Sequence, residues 1–68
     1  MNAKEMFESL GYKYRKSDII IEYSCFDDCI AFWINSREFY ASYCNEPKDI
    51  CVDEFKAIQQ QMKELGWI

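Results

Sequence analysis

The chain has 68 residues, half of them apolar and 18% aromatic, with eight basic against twelve acidic side chains and a net charge of −4. This composition is far from that of a disordered chain, leaves room for one small-cored domain over residues 1–68, and disfavours phosphate backbones and anionic membranes as partners. No apolar run approaches the ~18–20 residues of a transmembrane helix, and the opening segment with Lys4, Glu5 and Glu8 lacks the apolar stretch of a secretory signal, so the expected address is cytoplasmic.

Residues Asn2 to Leu10 read as a short helix. Asn2 can cap it, Glu5 stands at the capping-box position, and Ala3, Met6, Phe7 and Leu10 fall on one face. Gly11 can take the left-handed conformation that ends a helix, with Tyr12 folding back on Phe7.

Tight turns at Ser17-Asp18, Asp27-Asp28 and Asn35-Ser36 then divide residues 12–44 into four antiparallel strands. Their period-two registers agree. One face collects Tyr12, Tyr14, Ile19, Ile21, Tyr23, Cys25, Ile30, Phe32, Ile34, Phe39, Ala41 and Tyr43; the other collects Lys13, Arg15, Ile20, Glu22, Ser24, Phe26, Cys29, Ala31, Trp33, Glu38, Tyr40 and Ser42. Strand 1 reads as a charged edge with Lys13, Arg15 and Lys16. The stretch Asn45-Glu46-Pro47-Lys48-Asp49 reads as a loop.

A longer helix follows from about Val52 to Leu65, its apolar stripe at Phe55, Ile58, Met62 and Leu65, its stop at Gly66 and Trp67 folding back on Met62. Asp53 and Glu54 complement the helix dipole, Ile50 can staple to Phe55, and Cys51 occupies the N-cap, where a thiol is a poor choice. Each helix has one apolar stripe and the sheet one strongly apolar face. The expected fold is therefore a two-layer α+β domain, an antiparallel meander of three to four strands with the N- and C-terminal helices packed on one face, in the order α-β-β-β-β-α.

The four cysteines, Cys25, Cys29, Cys44 and Cys51, do not read as a zinc site, because Cys25 and Cys29 fall on opposite faces and there is no histidine. Reduced thiols behaving as small hydrophobes are expected, with Cys29 and Cys44 the one pair whose positions allow contact. No metal and no cofactor is expected.

The ends of the chain also carry a resemblance. Ala3-Lys4-Glu5-Met6-Phe7 leading to Leu10-Gly11-Tyr12, and Glu54-Phe55-Lys56-Ala57-Ile58 leading to Lys63-Glu64-Leu65-Gly66-Trp67, are similar to a family of small uncharacterised proteins of prophages and mobile elements in Firmicutes. Members commonly have a threonine-containing turn before the final helix, where this chain has Cys51-Val52. The resemblance implies no catalytic residues.

Three function classes can be weighed. Without histidine or a glycine-rich phosphate loop, the common catalytic constellations cannot be assembled, and Asp27-Asp28 reads as turn chemistry, so no catalytic residue is assigned. A single-stranded nucleic-acid platform has Trp33 and Tyr40 for stacking and Lys13 and Arg15 for phosphate, but Glu22 and Glu38 share the patch and Glu22 is expected to neutralise Lys13. An acidic inhibitor of a host factor fits the charge, although its acidic residues form no long run. The favoured expectation is a protein-interaction module that binds a protein partner or itself as a homodimer, using the exposed face with Ile20, Phe26, Trp33 and Tyr40.

Overall fold

The computed structural model describes residues 1–68. Local chemistry sets both helices. In α1 (Ala3–Ser9) the Asn2 side chain accepts from the Glu5 N–H at 2.8 Å while Glu5 Oε1 accepts from the Asn2 N–H at 3.0 Å, closing the capping box. At the other end Gly11 is left-handed (φ 94°), and the Gly11 and Tyr12 N–H groups return to the Glu8 and Phe7 carbonyls at 3.0 and 3.1 Å. These two bonds make a Schellman ending.

The same device closes α2 (Val52–Glu64), where Gly66 (φ 75°) and Trp67 donate to Lys63 and Met62 at 3.0 and 2.9 Å. At its start Cys51 is the N-cap: its Sγ accepts from the Glu54 N–H at 3.5 Å and Glu54 Oε1 accepts from the Cys51 N–H at 2.8 Å. The thiol therefore completes a capping box, though with a long, weak bond on the sulfur side.

Between the helices run β1 (Lys13–Lys16), β2 (Ile20–Cys25), β3 (Asp28–Trp33), β4 (Glu38–Tyr43) and β5 (Glu46–Pro47), antiparallel and in that spatial order. This is the expected α+β meander with its terminal helices, lengthened by a two-residue fifth strand in the segment read as a loop. Cys44 and Asn45, both left-handed (φ 51° and 65°), form the hairpin turn that brings β5 back against Ser42 and Tyr43. β1 joins the sheet along its whole length.

Two turns sit one residue away from their expected places. The first closes over Asp18-Ile19, with the Ser17 N–H on the Ile20 carbonyl at 2.9 Å, and the second is Phe26-Asp27, because Cys25 pairs with Asp28. Moving a two-residue turn by one position changes the partners by two, so every side chain that stays in a strand keeps its face while its neighbours change, and Ile19 and Phe26 pass into the turns. The third register, Phe32 opposite Phe39 and Trp33 opposite Glu38, is as expected.

The core lies between the helices and β1–β3: Phe7, Tyr12, Ile21, Tyr23, Ile30, Phe32, Ala57 and Ile58 are buried together. Phe7 stacks on Tyr23 with centroids 3.9 Å apart, and the Tyr23 hydroxyl donates to Gln61 Oε1 at 2.6 Å. The Ala3 N–H donates to Glu64 Oε2 at 2.7 Å, linking the start of α1 to the end of α2. The buried stripe of α2 is Ala57, Ile58 and Gln61; Phe55, expected in the stripe, is 50% exposed. The helix layer does not reach across the whole sheet, so Phe39 and Tyr43 on the helix side of β4 are also exposed.

Two outcomes follow for stability. Phe32→Ala empties a fully buried site and is expected to cost about 3–5 kcal/mol in urea unfolding, whereas Trp33→Ala, on the opposite face, should cost about 1 kcal/mol or less. Cys51→Ser replaces the sulfur cap by a better acceptor and is expected to raise stability by about 0.5–1 kcal/mol, read as a higher urea midpoint at unchanged slope.

Candidate interaction face

The face of the sheet away from the helices is built by alternation alone, since no element lies over it. Ile20 pairs directly with Trp33, and Tyr40 is the diagonal neighbour of Trp33, two residues along β4 from its partner Glu38. These three side chains form one patch: Ile20 is half-buried, while Trp33 and Tyr40 remain 44% and 45% exposed. Beside them Ala31 and Ser42 are buried as small side chains set low between larger neighbours.

Phe26 does not belong to this patch. It occupies the first position of the β2–β3 turn, left-handed at φ 54° and fully exposed, at the opposite end of β2 and β3 from the Ile20–Trp33 pair. The expectation that it shares the patch failed because it assumed an Asp27-Asp28 turn, which would have made Phe26 a strand residue.

Charge around the patch also differs from expectation. Arg15, not Lys13, lies opposite Glu22, with Arg15 Nη2 3.4 Å from Glu22 Oε1, and Lys13 faces Ser24. The second Glu22 oxygen is 3.6 Å from Cys29 Sγ; burial, and then the neighbouring carboxylate, push the Cys29 thiol up to about 11. Such a thiol stays protonated and unreactive at neutral pH. Cys44, the one cysteine whose position allowed contact with Cys29, is exposed in the β4–β5 turn, and all four cysteines are free.

One cluster was not foreseen from the sequence. Lys48 Nζ donates to Tyr12 Oη at 2.8 Å, Asp28 Oδ1 at 3.0 Å and Glu54 Oε2 at 2.8 Å, and the Tyr12 hydroxyl donates to the same Glu54 oxygen. The Lys48 and Glu54 side chains are only 12% and 13% exposed. Burial alone would lower the Lys48 pKa, but its bonds to Glu54, Tyr12 and Asp28 outweigh that and raise it. For Glu54 burial acts upward, and the bonds from Lys48, Tyr12 and the Cys51 N–H overcome it and hold the carboxyl down at about 2. Burial, with the bond to Glu54, pushes Tyr12 up to about 12.

A depression of about 240 Å³ adjoins the cluster, lined by Leu10, Tyr12, Cys25, Asp28, Cys51 and Glu54. The cluster's chemistry is that of a tie. A lysine nucleophile or base requires a lowered pKa, and here every contact favours the charged form. No group of three His, Cys, Asp or Glu side chains is placed to hold a metal ion. No helix is long and apolar enough to cross a membrane.

The chain matches no family model, no curated protein and no solved structure.

The tie generates a pH dependence. The folded-state value of Glu54 lies below the ordinary 4.5, so its ionised form stabilises the fold fully above about pH 4.5, and that contribution is lost as pH falls toward about 2. Glu54→Gln is expected to cost about 2 kcal/mol at pH 7 and much less near pH 2. Urea unfolding of both proteins at pH 7, 4 and 2.5 checks it; a constant difference across the series would contradict this role.

Proposed function

We propose that this chain is a non-enzymatic protein-interaction module of a prophage or mobile element, acting in the cytoplasm and binding a protein partner through the Ile20, Trp33 and Tyr40 face. The observation that carries this reading is the adjacency of two half-exposed aromatic side chains and an isoleucine on a sheet face that no helix covers. Aromatic side chains at the centre of an exposed apolar patch are typical interface anchors: they bury a large area with few rotatable bonds. Glu22 neutralises Arg15, and Glu38 beside Trp33 adds a carboxylate to the patch. This favours a protein over a single-stranded nucleic acid as the partner.

The test is affinity capture from host lysate with the wild type and a Trp33→Ser, Tyr40→Ser double variant. Both positions are exposed, so the variant is expected to keep its circular dichroism spectrum and to lose the captured proteins. A folded variant that retains every partner would place the interface elsewhere.

A further inference from the structure

β1 is the free edge of the sheet. At the other side β5 and the Lys48 N–H, 3.2 Å from the Ala41 carbonyl, occupy the edge of β4, but no strand lies beyond β1. The turn after β1 sets which of its main-chain groups face out. Ser17 and Ile20 close that turn with a bond of 2.9 Å, so alternation directs the N–H and C=O of Arg15 and Lys13 toward Glu22 and Ser24 and turns those of Lys16 and Tyr14 away from the sheet. No hydrogen bond reaches these outward groups. Spaced two residues apart on one strand, they are the donors and acceptors that an added strand uses.

The side chains of β1 select what can be added. Lys13, Arg15 and Lys16 are exposed, and only Arg15 has an acidic partner, Glu22. Lys13 and Lys16 make no ion pair, and neither does Lys4, whose ammonium lies 5.2 Å from the centre of the Tyr14 ring. Three unpaired cations are thus gathered along one edge of a chain with a net charge of −4. Cations there repel a second copy of the same edge and attract an acidic strand. Tyr14, half-buried against the core, adds an apolar surface on the helix side. At the end of β1 a depression of about 140 Å³, lined by Arg15, Lys16, Ser17, Ile20 and Glu22, leaves room for a side chain of the incoming strand.

We infer that β1 takes up an extended acidic segment of a partner protein by strand addition, antiparallel to β1, with carboxylates opposite Lys13 and Lys16 and an apolar residue opposite Tyr14. In this register the residues opposite Tyr14 and Lys16 exchange main-chain bonds with them. The residue opposite Arg15 needs no charge, since Glu22 already neutralises that guanidinium. The contact does not rest on the function proposed above, because Trp33 and Tyr40 lie on β3 and β4 and take no part in it.

The probe is a peptide capped at both ends, Thr-Glu-Thr-Val-Glu-Thr, titrated at low salt to about 1 mM, the range of so small a contact, into the nitrogen-15-labelled chain. The Tyr14 and Lys16 amides, open to solvent in the free protein, are expected to shift and to exchange more slowly, while the Lys13 and Arg15 amides, already bonded to β2, keep their exchange rates. Lys16→Glu, an exposed substitution, should weaken binding about threefold to tenfold. Methylating the valine nitrogen keeps every charge but removes the bond to the Tyr14 carbonyl, and should abolish binding, as should lysine in place of both glutamates. No binding at about 1 mM, protection at other amides, or equal binding of the methylated or the lysine peptide overturns strand addition. An oligothymidylate that binds the edge as tightly as the peptide would make it a general anion patch and overturn it too. Capture of lysate proteins through Trp33 and Tyr40 is a separate measurement, and its failure leaves this one untouched.

Discussion

Tyr23 is the side chain through which both helices are fixed to the sheet. Its ring takes the face of Phe7 from α1, and its buried hydroxyl is satisfied by Gln61 from α2. A buried hydroxyl left without an acceptor costs about 1–3 kcal/mol, so α2 cannot rotate or slide without losing that bond as well as its packing. The bond explains why a polar glutamine belongs to the buried stripe of α2. It also makes the helix spacing a consequence of one tyrosine, since Phe7 and Gln61 approach the same residue from two elements.

A second constraint works at one end of the sheet. Lys48, just after β5, binds the start of β3 through Asp28, the start of α2 through Glu54 and the residue before β1 through Tyr12. Four elements of a small domain thus meet at one ammonium. Ion pairs at the surface contribute little, but here the partners are largely withdrawn from water and every donor has an acceptor. Glu54 also closes the capping box of α2, so the same carboxylate orders the helix start and anchors the loop before it.

Much of this architecture was legible in the residues, for identifiable reasons. The caps and Schellman endings are local chemistry, set by Asn2, Glu5, Gly11 and Gly66, and the face of each strand residue follows from a period of two. Cross-strand partners were less legible. Asp-Asp is the better turn by local preference, yet the strand pairing places the bulky Phe26 in the left-handed position instead, which no local rule favours. One such step moved Phe26 out of the aromatic patch, and the equivalent step in the first turn exchanged Lys13 for Arg15 opposite Glu22. The Lys48 cluster was not legible at all. It depends on where the chain after Pro47 leaves the sheet, which is decided by tertiary packing of Ile50 and not by composition.

The two ends of the sheet consequently have different characters. At the Asp28 end the left-handed residues Phe26, Cys44 and Asn45 crowd together, Phe26 and Cys44 each disfavoured by about 1–2 kcal/mol unless the surroundings hold them. There the Cys44 N–H ties one turn to the Asp27 carbonyl of the other at 3.1 Å, and the Lys48 cluster secures the strand that follows. At the other end Arg37 is the only left-handed residue, and its guanidinium reaches the Trp67 carbonyl at 2.7 Å. That end carries the Ile20, Trp33 and Tyr40 patch. Main-chain strain and the Lys48 ion pairs are concentrated at the first end, which also exposes Phe26 and Tyr43 in and beside its turns. A partner could engage this second end without disturbing the contacts that stabilise the first.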